Sequence, residues 1–237
     1  MFLRTVLAGL LVVLFTLILI PILLLCFIFR VRRPLFGVAR FALRLTALAA
    51  GLKVEVSGRE HIDRKRVYVF MSNHLSFIDG PLLILLIPQP VRVILKKQLF
   101  RIPVIGLGMR YLGFVPVDRR GTKQGRQAID RAAGLMQRKR YSFLIFPEGT
   151  RSRDGRLQPF KKGGFFLAAQ AGAPILPLSV EGTFALMPRG SFFIRSGKIR
   201  VRFHACLPAG QPGQESLALT MDKTRAAIAS GLSEEGR

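Results

Sequence analysis

The first 50 residues and the rest of the chain differ in their pattern of hydrophobic and polar positions. Residues 5–29 form an uncharged, nearly continuous apolar run of 25 residues. As an α-helix this run would be about 37 Å long, and the hydrocarbon core of a bilayer is about 30 Å thick. The pattern therefore predicts an N-terminal membrane helix within residues 1–33, which Pro21 is expected to kink.

Arginines are placed unevenly around this apolar run. Arg30, Arg32 and Arg33 follow it, whereas only Arg4 precedes it. The positive-inside rule then predicts that the downstream chain lies on the cytoplasmic face of the cell inner membrane. Two alternatives stay open. One is a cleaved signal peptide, which the length of the run and the arginines behind it argue against. The other is a helix that lies within one leaflet and bends at Pro21.

A second apolar segment carries arginines at helical spacing. Within residues 36–52, Arg40 and Arg44 lie one helical turn apart among otherwise apolar residues. This pattern is typical of an amphipathic helix that lies in the membrane interface with its cations near anionic headgroups. We expect this interfacial helix at residues 34–51.

From residue 52 onward, short strands alternate with helices. Apolar or alternating runs predict strands at 53–56, 66–71, 91–95, 113–117, 142–146, 175–180 and 198–205. Helical patterns fall between them, at 81–86, 104–111, 123–140, 164–171 and 216–232. The mostly β-α order predicts an α/β domain over residues 52–237, with a central, mostly parallel or mixed sheet flanked by helices. The alternation in the last strand indicates one solvated face, as at a sheet edge.

The chain is basic as well as hydrophobic. It has 37 Lys+Arg against 13 Asp+Glu, a formal net charge of +24, and a mean hydropathy of +0.35. This combination excludes a disordered basic tail and does not fit a multi-span transporter. The expected partner is anionic: a nucleic acid, an acidic membrane surface, or an acidic substrate or carrier. Cys26 and Cys206 lie in separate segments and predict neither a disulfide framework nor a zinc site, and no cofactor is expected.

A histidine and an aspartate lie five residues apart where a predicted strand gives way to a helix. On a regular helix His74 and Asp79 would point about 140° apart, so they meet only if the chain turns between them. Ser76 with Asp79 resembles a capping box, whereas Gly80 before Pro81 favours a later helix start. With either start, Asp79 can accept a hydrogen bond from the imidazole and stabilise the imidazolium, as a general base requires. A histidine that only ends a strand is the simpler alternative.

A second candidate segment follows the predicted strand at 142–146. Pro147 ends the strand ladder, and Gly149 permits a tight turn or a close backbone approach. Arg151 and Arg153 carry planar guanidinium groups that suit a phosphate. Charged residues at the end of a buried strand are typical of sites in α/β proteins, although an ordinary basic surface loop would have the same composition.

Four blocks of the sequence occur in a fixed order. The first is N-H-x-S-x-x-D at residues 73–79, and the second is G-x-[IV]-x-[IV]-x-R at residues 113–119. The third is F-P-E-G-T-R-S-R at residues 146–153, and the looser fourth places two prolines among apolar residues at 173–178. Together they resemble the glycerolipid acyltransferases, specifically the 1-acyl-sn-glycerol-3-phosphate acyltransferase family. The resemblance covers about residues 52–205 and implies that family's fold.

The resemblance implies acyl transfer from a thioester, acyl-CoA or acyl carrier protein, to the sn-2 hydroxyl of lysophosphatidic acid at a membrane. His74 would be the general base and Asp79 would orient it. With no cysteine near the motif, direct transfer is favoured over an acyl-enzyme. The residues expected to bind substrate are Lys96, Lys97, Arg119, Glu148, Gly149, Thr150, Arg151, Arg153 and Pro177. The cations would hold the phosphate, Glu148 a glycerol hydroxyl, and Pro177 would shape the pocket.

Several alternatives remain open from the sequence. The same blocks would serve another lyso-lipid acceptor, such as a lyso-ornithine lipid. A non-catalytic adaptor for nucleic acid or anionic lipid is the rival from another class, but the basic residues surround a membrane segment rather than form a nucleic-acid module with stacking aromatics. No nucleic acid is therefore expected. Residues 96–108 fit the family or a membrane-facing surface, and residues 184–198 fit a membrane-contact loop or a core strand. His61 and His204 are expected to be structural.

Overall fold

Seven strands form one mixed sheet in the computed structural model, which describes residues 2–31, 33–118, 122–210 and 214–237. The strands are β1 (Leu52–Ser57), β2 (Val69–Ser72), β3 (Val91–Lys96), β4 (Val115–Val117), β5 (Ser142–Ile145), β6 (Ile175–Glu181) and β7 (Gly197–Phe203). Their order across the sheet is β1-β7-β6-β2-β5-β3-β4. The strands from β6 to β4 run parallel, whereas β7 is antiparallel to β6 and parallel to β1. The predicted α/β class with a mixed sheet is confirmed.

Helices connect the strands much as the periodicity predicts. The α-helices of the described residues are α1 (Phe2–Ile28), α2 (Arg33–Ala49), α3 (Asp79–Leu86), α4 (Ile105–Tyr111), α5 (Thr122–Lys139), α6 (Gly163–Ala171), α7 (Thr183–Leu186) and α8 (Gln214–Ser230). Short 3-10 helices occupy Arg59–His61, Lys97–Arg101 and Glu234–Gly236. The sequence did not predict α7 or the 3-10 helices, because one turn is too short to show a period.

Strand β2 is buried on both faces because helices cover both sides of the sheet. All four of its residues are buried. Phe70 packs into one core with Leu82 and Leu83 of α3, and Val69 and Met71 pack into a second core with α5 and α6. A strand covered on both faces has a continuous apolar sequence rather than an alternating one, as β2 does.

Strand β7 is an internal strand, so the sheet-edge position suggested by its alternation is wrong. It pairs with β1 on one side and with β6 on the other. On its solvated face, Arg200 forms ion pairs with Glu181 of β6 at 2.7 Å and with Glu55 of β1 at 3.8 Å. The alternation therefore reflects one exposed face of the sheet, not an unpaired edge.

Helix α1 lies along the sheet domain and contacts it near both ends. Near its start, the backbone N–H of Ile194 donates a 3.0 Å hydrogen bond to Thr5 Oγ1. Near its end, the Tyr111 hydroxyl donates to the carbonyl of Cys26 at 2.6 Å. Within the described residues, α1 is the one helix long and apolar enough to cross a bilayer, and many of its apolar side chains are exposed. This exposed apolar surface indicates that the chain associates with a membrane.

Helix α2 turns back along α1 and joins it to the sheet domain. The rings of Phe15 and Phe41 meet edge to face, with their centroids 5.9 Å apart. The helix begins at Arg33 and ends at Ala49, close to the bounds predicted for the interfacial helix. The guanidinium of Arg40 on α2 donates to carbonyl oxygens at the end of α3. Helix α2 therefore contacts the α/β domain as well as α1.

Candidate active site

The first and third blocks meet at the carboxyl ends of two neighbouring strands. β2 leads into the first block and β5 leads into the third, and the two strands are parallel and paired, with Met71 opposite Ile145. Because parallel strands end at the same edge of a sheet, the segments that follow them emerge side by side. This edge is where α/β sheets usually build their sites.

Asn73 continues the sheet beyond the end of β2 through its side chain. Its Nδ2 donates to the carbonyl of Val180, and its Oδ1 accepts from the N–H of Val180, both at 2.8 Å. The side chain is fully buried. The amide thus pairs with β6 in the place of a β2 backbone group, and it fixes Asn73, the residue directly before His74.

Helix α3 begins at Asp79, and the carboxylate of this residue organises the preceding turn. Its Oδ2 accepts hydrogen bonds from the backbone N–H groups of Leu75 and Ser76, both at 2.7 Å. The same oxygen lies 2.9 Å from Nδ1 of His74. Asp79 is fully buried, which keeps this interaction away from solvent. The chain therefore turns between the histidine and the aspartate, and the two side chains meet.

His74 is held by its ring and by its backbone. Because an ionised carboxylate only accepts, Nδ1 carries the ring proton toward Asp79, and Nε2 keeps a free lone pair. The ring stacks on Phe146, with 4.0 Å between centroids. The backbone N–H donates to Glu148 Oε1, and the backbone carbonyl accepts from the N–H of Ser152, both at 2.8 Å. The third block thus fixes the position of the imidazole.

Glu148 is a buried carboxylate at this junction. The residue is 2% exposed, and its second oxygen accepts from the N–H of Gln158 at 3.4 Å. Burial, with a smaller contribution from the charge of Asp79, raises the pKa of Glu148 to about 8, against the opposing hydrogen bonds from the His74 and Gln158 amides. The carboxylate is therefore occupied by backbone groups and has little surface left for a substrate.

Among the predicted phosphate-binding cations, Arg151 contacts the first block. Its guanidinium lies 6.0 Å from the ring centroid of Phe77, whose side chain is exposed. Arg151 is half-buried and Arg153 is exposed. Arg119, the remaining arginine of the prediction, lies outside the described residues.

Lys96, Lys97 and Pro177 lie farther from the histidine along the sheet. Lys96 ends β3 and Lys97 follows it, and both are exposed. They are at the same edge of the sheet as His74, but β5 separates β3 from β2. Pro177 is buried within β6, opposite Met71 of β2.

Gly149 and Thr150 form the turn that follows the third strand end. Gly149 has a φ of +73°, and its N–H closes the turn by donating to the carbonyl of Phe146 at 3.0 Å. A Cβ at this position would lie 3.0 Å from Cδ of Lys161, so both the backbone angle and the space favour glycine. Thr150 is exposed at the tip of the turn.

Ser76 connects the first block to the segment at residues 184–198, for which the sequence predicts either a membrane-contact loop or a core strand. Its hydroxyl donates to the carbonyl of Met187 at 2.7 Å. Residues 187–196 form an irregular loop rather than a core strand, and Phe192 and Phe193 on this loop are exposed. A serine before a helix signals a local hydrogen bond, but a partner 111 residues away has no signal in the sequence.

A mostly apolar cavity of about 260 Å³, whose lining also includes Asp118 and Lys161, lies next to Phe146, the ring on which His74 stacks. Its wall comes from β3, β4 and β5 and from the starts of α5 and α6, and it includes Phe146, which also stacks on the ring of His74. Four glycines widen it: Gly125, Gly149, Gly163 and Gly164. A cavity with such a lining suits an aliphatic chain.

The other histidine near the sheet has a different environment. His204 Nε2 lies 3.0 Å from Ser179 Oγ in the core, and burial, followed by Arg202 and His61, lowers the pKa of His204 to about 4. It is therefore neutral near pH 7. Within the described residues, no group of three or more His, Cys, Asp or Glu side chains is arranged to hold a metal ion.

Comparison with known proteins identifies similar sequences. A chloroplast 1-acyl-sn-glycerol-3-phosphate acyltransferase of Brassica napus is 40% identical over 154 residues, which cover 64% of this chain and 44% of that protein. The 1-acyl-sn-glycerol-3-phosphate acyltransferase of Borreliella burgdorferi is 33% identical over 161 residues, covering 68% of this chain and 62% of that protein. The chain spans about half the length of several curated relatives that it matches.

The fold and the family model agree with these similarities. The crystal structure of the 1-acyl-sn-glycerophosphate acyltransferase PlsC from Thermotoga maritima superposes with a TM-score of 0.71 at 28% identity, covering 84% of this chain and 80% of that chain. The model of the Acyltransferase family matches residues 53–181, more than half of the chain. This range contains both blocks that meet around His74. The chain belongs to the acyltransferase family.

Proposed function

We propose that the chain transfers an acyl group from an acyl thioester to the sn-2 hydroxyl of 1-acyl-glycerol-3-phosphate, giving phosphatidic acid. The observation that carries this proposal is the 2.9 Å contact between His74 Nδ1 and Asp79 Oδ2 at an edge that also holds Arg151 and an apolar cavity. A base, an anion-binding group and a cavity for an aliphatic chain are the parts that this reaction requires. The names of the similar proteins support the same reaction.

His74 acts as the general base. Its Nε2 takes the proton of the sn-2 hydroxyl while the hydroxyl oxygen attacks the thioester carbonyl. A C–O bond forms and the C–S bond breaks, and the proton passes from the imidazolium to the departing thiolate. Asp79 keeps the ring in the required tautomer and stabilises the imidazolium. General base catalysis of this kind contributes about 10²–10⁴-fold to the rate.

Arginines bind the acceptor phosphate. Arg151 is proposed as the main contact, because it lies beside the first block and over the exposed ring of Phe77. Arg153, on the same loop, is proposed to bind the phosphate together with Arg151. Lys96 and Lys97, which lie two strands away from β2, and Arg119 of the second block would add further positive charge. A planar guanidinium binds two phosphate oxygens at once. The apolar cavity behind Phe146 would receive an acyl chain.

Glu148 and Gly149 act on the site indirectly in this proposal. The family resemblance suggests that both bind the acceptor. The buried Glu148 carboxylate is instead proposed to position His74 through the backbone N–H. Gly149 is proposed to set the turn that brings Thr150 and Arg151 to the surface.

The membrane arrangement that we propose has α1 within the leaflet on the cytoplasmic side of the inner membrane. Thr5 and Cys26 both contact the α/β domain. They are about 31 Å apart along the axis of α1. A spanning helix would place one of these residues at the far surface of the membrane, out of reach of the domain. The arginines that follow α1 favour the cytoplasmic face. Membrane lipids would thus surround α1. As a separate part of the proposal, the acyl donor is acyl-CoA or acyl carrier protein.

A product assay with the full chain in phospholipid vesicles tests this function. Lysophosphatidic acid and a lyso-ornithine lipid are offered as acceptors, each with acyl-CoA and with acyl carrier protein as donor. We expect phosphatidic acid from the first acceptor and a loss of about 10²–10⁴-fold in His74→Ala. His61→Ala, a change at an exposed histidine, is the control and should keep the activity. Acylation of the lyso-ornithine lipid alone, or an active His74→Ala chain, would contradict the proposal.

A further inference from the structure

A second concave surface lies at the sheet edge opposite His74. It is a pocket of about 440 Å³ lined by Arg40, Arg44, Arg59, Arg64, Leu85, Leu86 and Pro88. Helix α3 starts at the carboxyl end of β2 and leads to β3, which is parallel to β2 within the sheet, so α3 ends at the opposite edge. β1 runs against β2 and also ends there. The pocket is therefore separate from the candidate active site.

The four arginines of this pocket form no ion pair with an acid in the part of the chain that the structure describes. Among the described residues, none of them has a carboxylate oxygen within 4.0 Å. Two acids occur in the same segment, Glu60 and Asp63, and both are exposed; Asp63 Oδ1 accepts from the backbone N–H of Lys65. Cations held together without counterions repel one another, and a bound anion would remove that repulsion.

Arg40 is fixed in place before any ligand binds. Its Nη2 donates to the carbonyl of Leu85 at 2.6 Å, and its Nη1 donates to the carbonyl of Ile87 at 3.2 Å. These carbonyls end α3, where the helix dipole favours a cation. Burial, followed by the charges of Arg44 and Arg59, lowers the pKa of Arg40. A guanidinium that is already ordered loses little entropy when it binds an anion.

Helix α2 places the arginine pocket beside an apolar stripe. Phe41 and Leu48 are 60% and 72% exposed, and they lie about 40–100° around the helix from Arg40 and Arg44. The same helix packs on α1, whose exposed surface is apolar. An apolar stripe next to cations is typical of a helix at the boundary between acyl chains and headgroups.

We propose that the arginine pocket binds a phosphate group, supplied by the headgroup of an anionic phospholipid. Two of its arginines come from α2 and two from the segment after β1, so a bound phosphate would join the interfacial helix to the α/β domain. Planar guanidinium groups that line one pocket from two elements suit the several oxygens of one phosphate. The site needs no acyl donor and no acyl transfer, so it does not depend on the proposed reaction.

Calorimetric titration of the full chain in dodecyl maltoside micelles, without acyl donor, tests this proposal. The probes are dihexanoyl phosphatidylglycerol and, separately, inorganic phosphate. The test variant is Arg59→Gln/Arg64→Gln, and the matched control is Arg126→Gln/Arg131→Gln, which removes the same charge from exposed positions on α5. We expect the Kd for the lipid to rise at least about 10-fold in the test variant and to stay within about 2-fold in the control.

Each result of this titration decides the proposal or its ligand. If the unmodified chain binds the lipid but not inorganic phosphate, the result supports a headgroup site. If both probes bind, and the test variant loses affinity for both equally, the result supports a site for phosphate from either source. An unchanged Kd in the test variant, or an equal loss in the control, would mean diffuse attraction and would overturn the proposal. If Arg59→Gln/Arg64→Gln melts far below the unmodified chain, Arg59→Lys/Arg64→Lys replaces it. Lysines keep the charge but lose the planar fork, so binding as tight as in the unmodified chain would also overturn it.

Discussion

The backbone N–H of His74 donates to Glu148 Oε1 at 2.8 Å, although 74 residues separate them in the chain. Asp79 holds the same histidine from the other side, through Nδ1 of the ring. Two buried acidic side chains therefore contact one histidine in different ways. Glu148 fixes the backbone from the third block, and Asp79 fixes the ring from the first. The proposed function would give Asp79 a part in catalysis and Glu148 a part in positioning, and the two roles can be tested apart.

Replacing Glu148 by glutamine should change the pH dependence of stability. Burial raises the pKa of Glu148 from 4.5 to about 8, so between these values the folded chain holds a proton that the unfolded chain has lost. The free energy of unfolding then falls as the pH rises through this window and levels off above it. One proton corresponds to a slope of at most about 1.4 kcal/mol per pH unit. Urea unfolding in micelles from about pH 5 to 9 should show a shallower decline in Glu148→Gln.

Glu181→Gln is the matched control for this measurement. Burial raises the pKa of Glu181, but hydrogen bonds and charge from Ser233 and Arg200 outweigh it, and the pKa is lowered overall. Its contribution to stability is present above the usual pKa of a glutamate and is lost only as the pH falls below it. Glu181→Gln should therefore shift stability by a constant amount over this range. Equal slopes in Glu148→Gln and the unmodified chain would show that Glu148 does not take up the proton on folding.

Replacing Asp79 by asparagine should lower kcat without a large change in KM. An asparagine oxygen can still accept from the amides of Leu75 and Ser76, so the turn is kept. The neutral amide can no longer stabilise the imidazolium of His74 or enforce the proton on Nδ1, and the expected loss in kcat is about 10²–10⁴-fold. Steady-state kinetics with lysophosphatidic acid gives both constants. A kcat within about 3-fold of the unmodified chain would mean that the pair does not act as proposed.

Replacing Arg151 by lysine should weaken acceptor binding selectively. Lysine keeps the charge but loses the planar fork that binds two phosphate oxygens, so the KM for lysophosphatidic acid should rise about 10-fold while the KM for the thioester stays the same. Arg156→Lys, at an exposed position of the same loop, is the control and should leave both constants unchanged. If the KM for the thioester rises instead, Arg151 binds the donor and not the acceptor.

Replacing Asn73 by alanine should destabilise the chain strongly. The change leaves the buried N–H and carbonyl of Val180 without the two partners that Asn73 supplies, and each orphaned group costs about 1–3 kcal/mol. We therefore expect the free energy of unfolding to fall by about 2–6 kcal/mol. Gln137→Ala removes an exposed hydrogen bond and should cost less than about 0.5 kcal/mol. Similar losses in both variants would contradict the bridging role of Asn73.

The sequence predicted the elements of the fold better than their neighbours in the sheet. Periodicity is local, so strands and helices longer than one turn appear in the pattern of residues 52–237. Strand order depends on contacts between distant segments. Strand β7 illustrates the difference. Its alternating pattern is compatible with an edge strand, but Arg200 of β7 forms ion pairs with Glu55 and Glu181, which lie on the strands at its two sides.

The site was predictable where its chemistry lies within one block. His74 and Asp79 are five residues apart, and their pairing follows from a turn between them. The burial of Glu148 depends on the pairing of β2 with β5, and the hydrogen bond from Ser76 to Met187 depends on the loop after α7. Neither has a local signal. The family resemblance implies a substrate contact for Glu148, and the structure adds contacts to the backbone N–H groups of His74 and Gln158.

A disulfide between α1 and the α/β domain should form in the membrane if α1 lies within one leaflet. Thr5 Oγ1 accepts from the N–H of Ile194 at 3.0 Å, so Thr5→Cys/Ile194→Cys, in a chain with Cys26→Ala and Cys206→Ala, should cross-link on mild oxidation of isolated membranes. Leu17→Cys/Ile194→Cys is the control, because Leu17 is about 18 Å farther along the helix and should not react. In a spanning arrangement the start of α1 would lie across the bilayer from Ile194, and mass spectrometry of the oxidised chain would find neither disulfide.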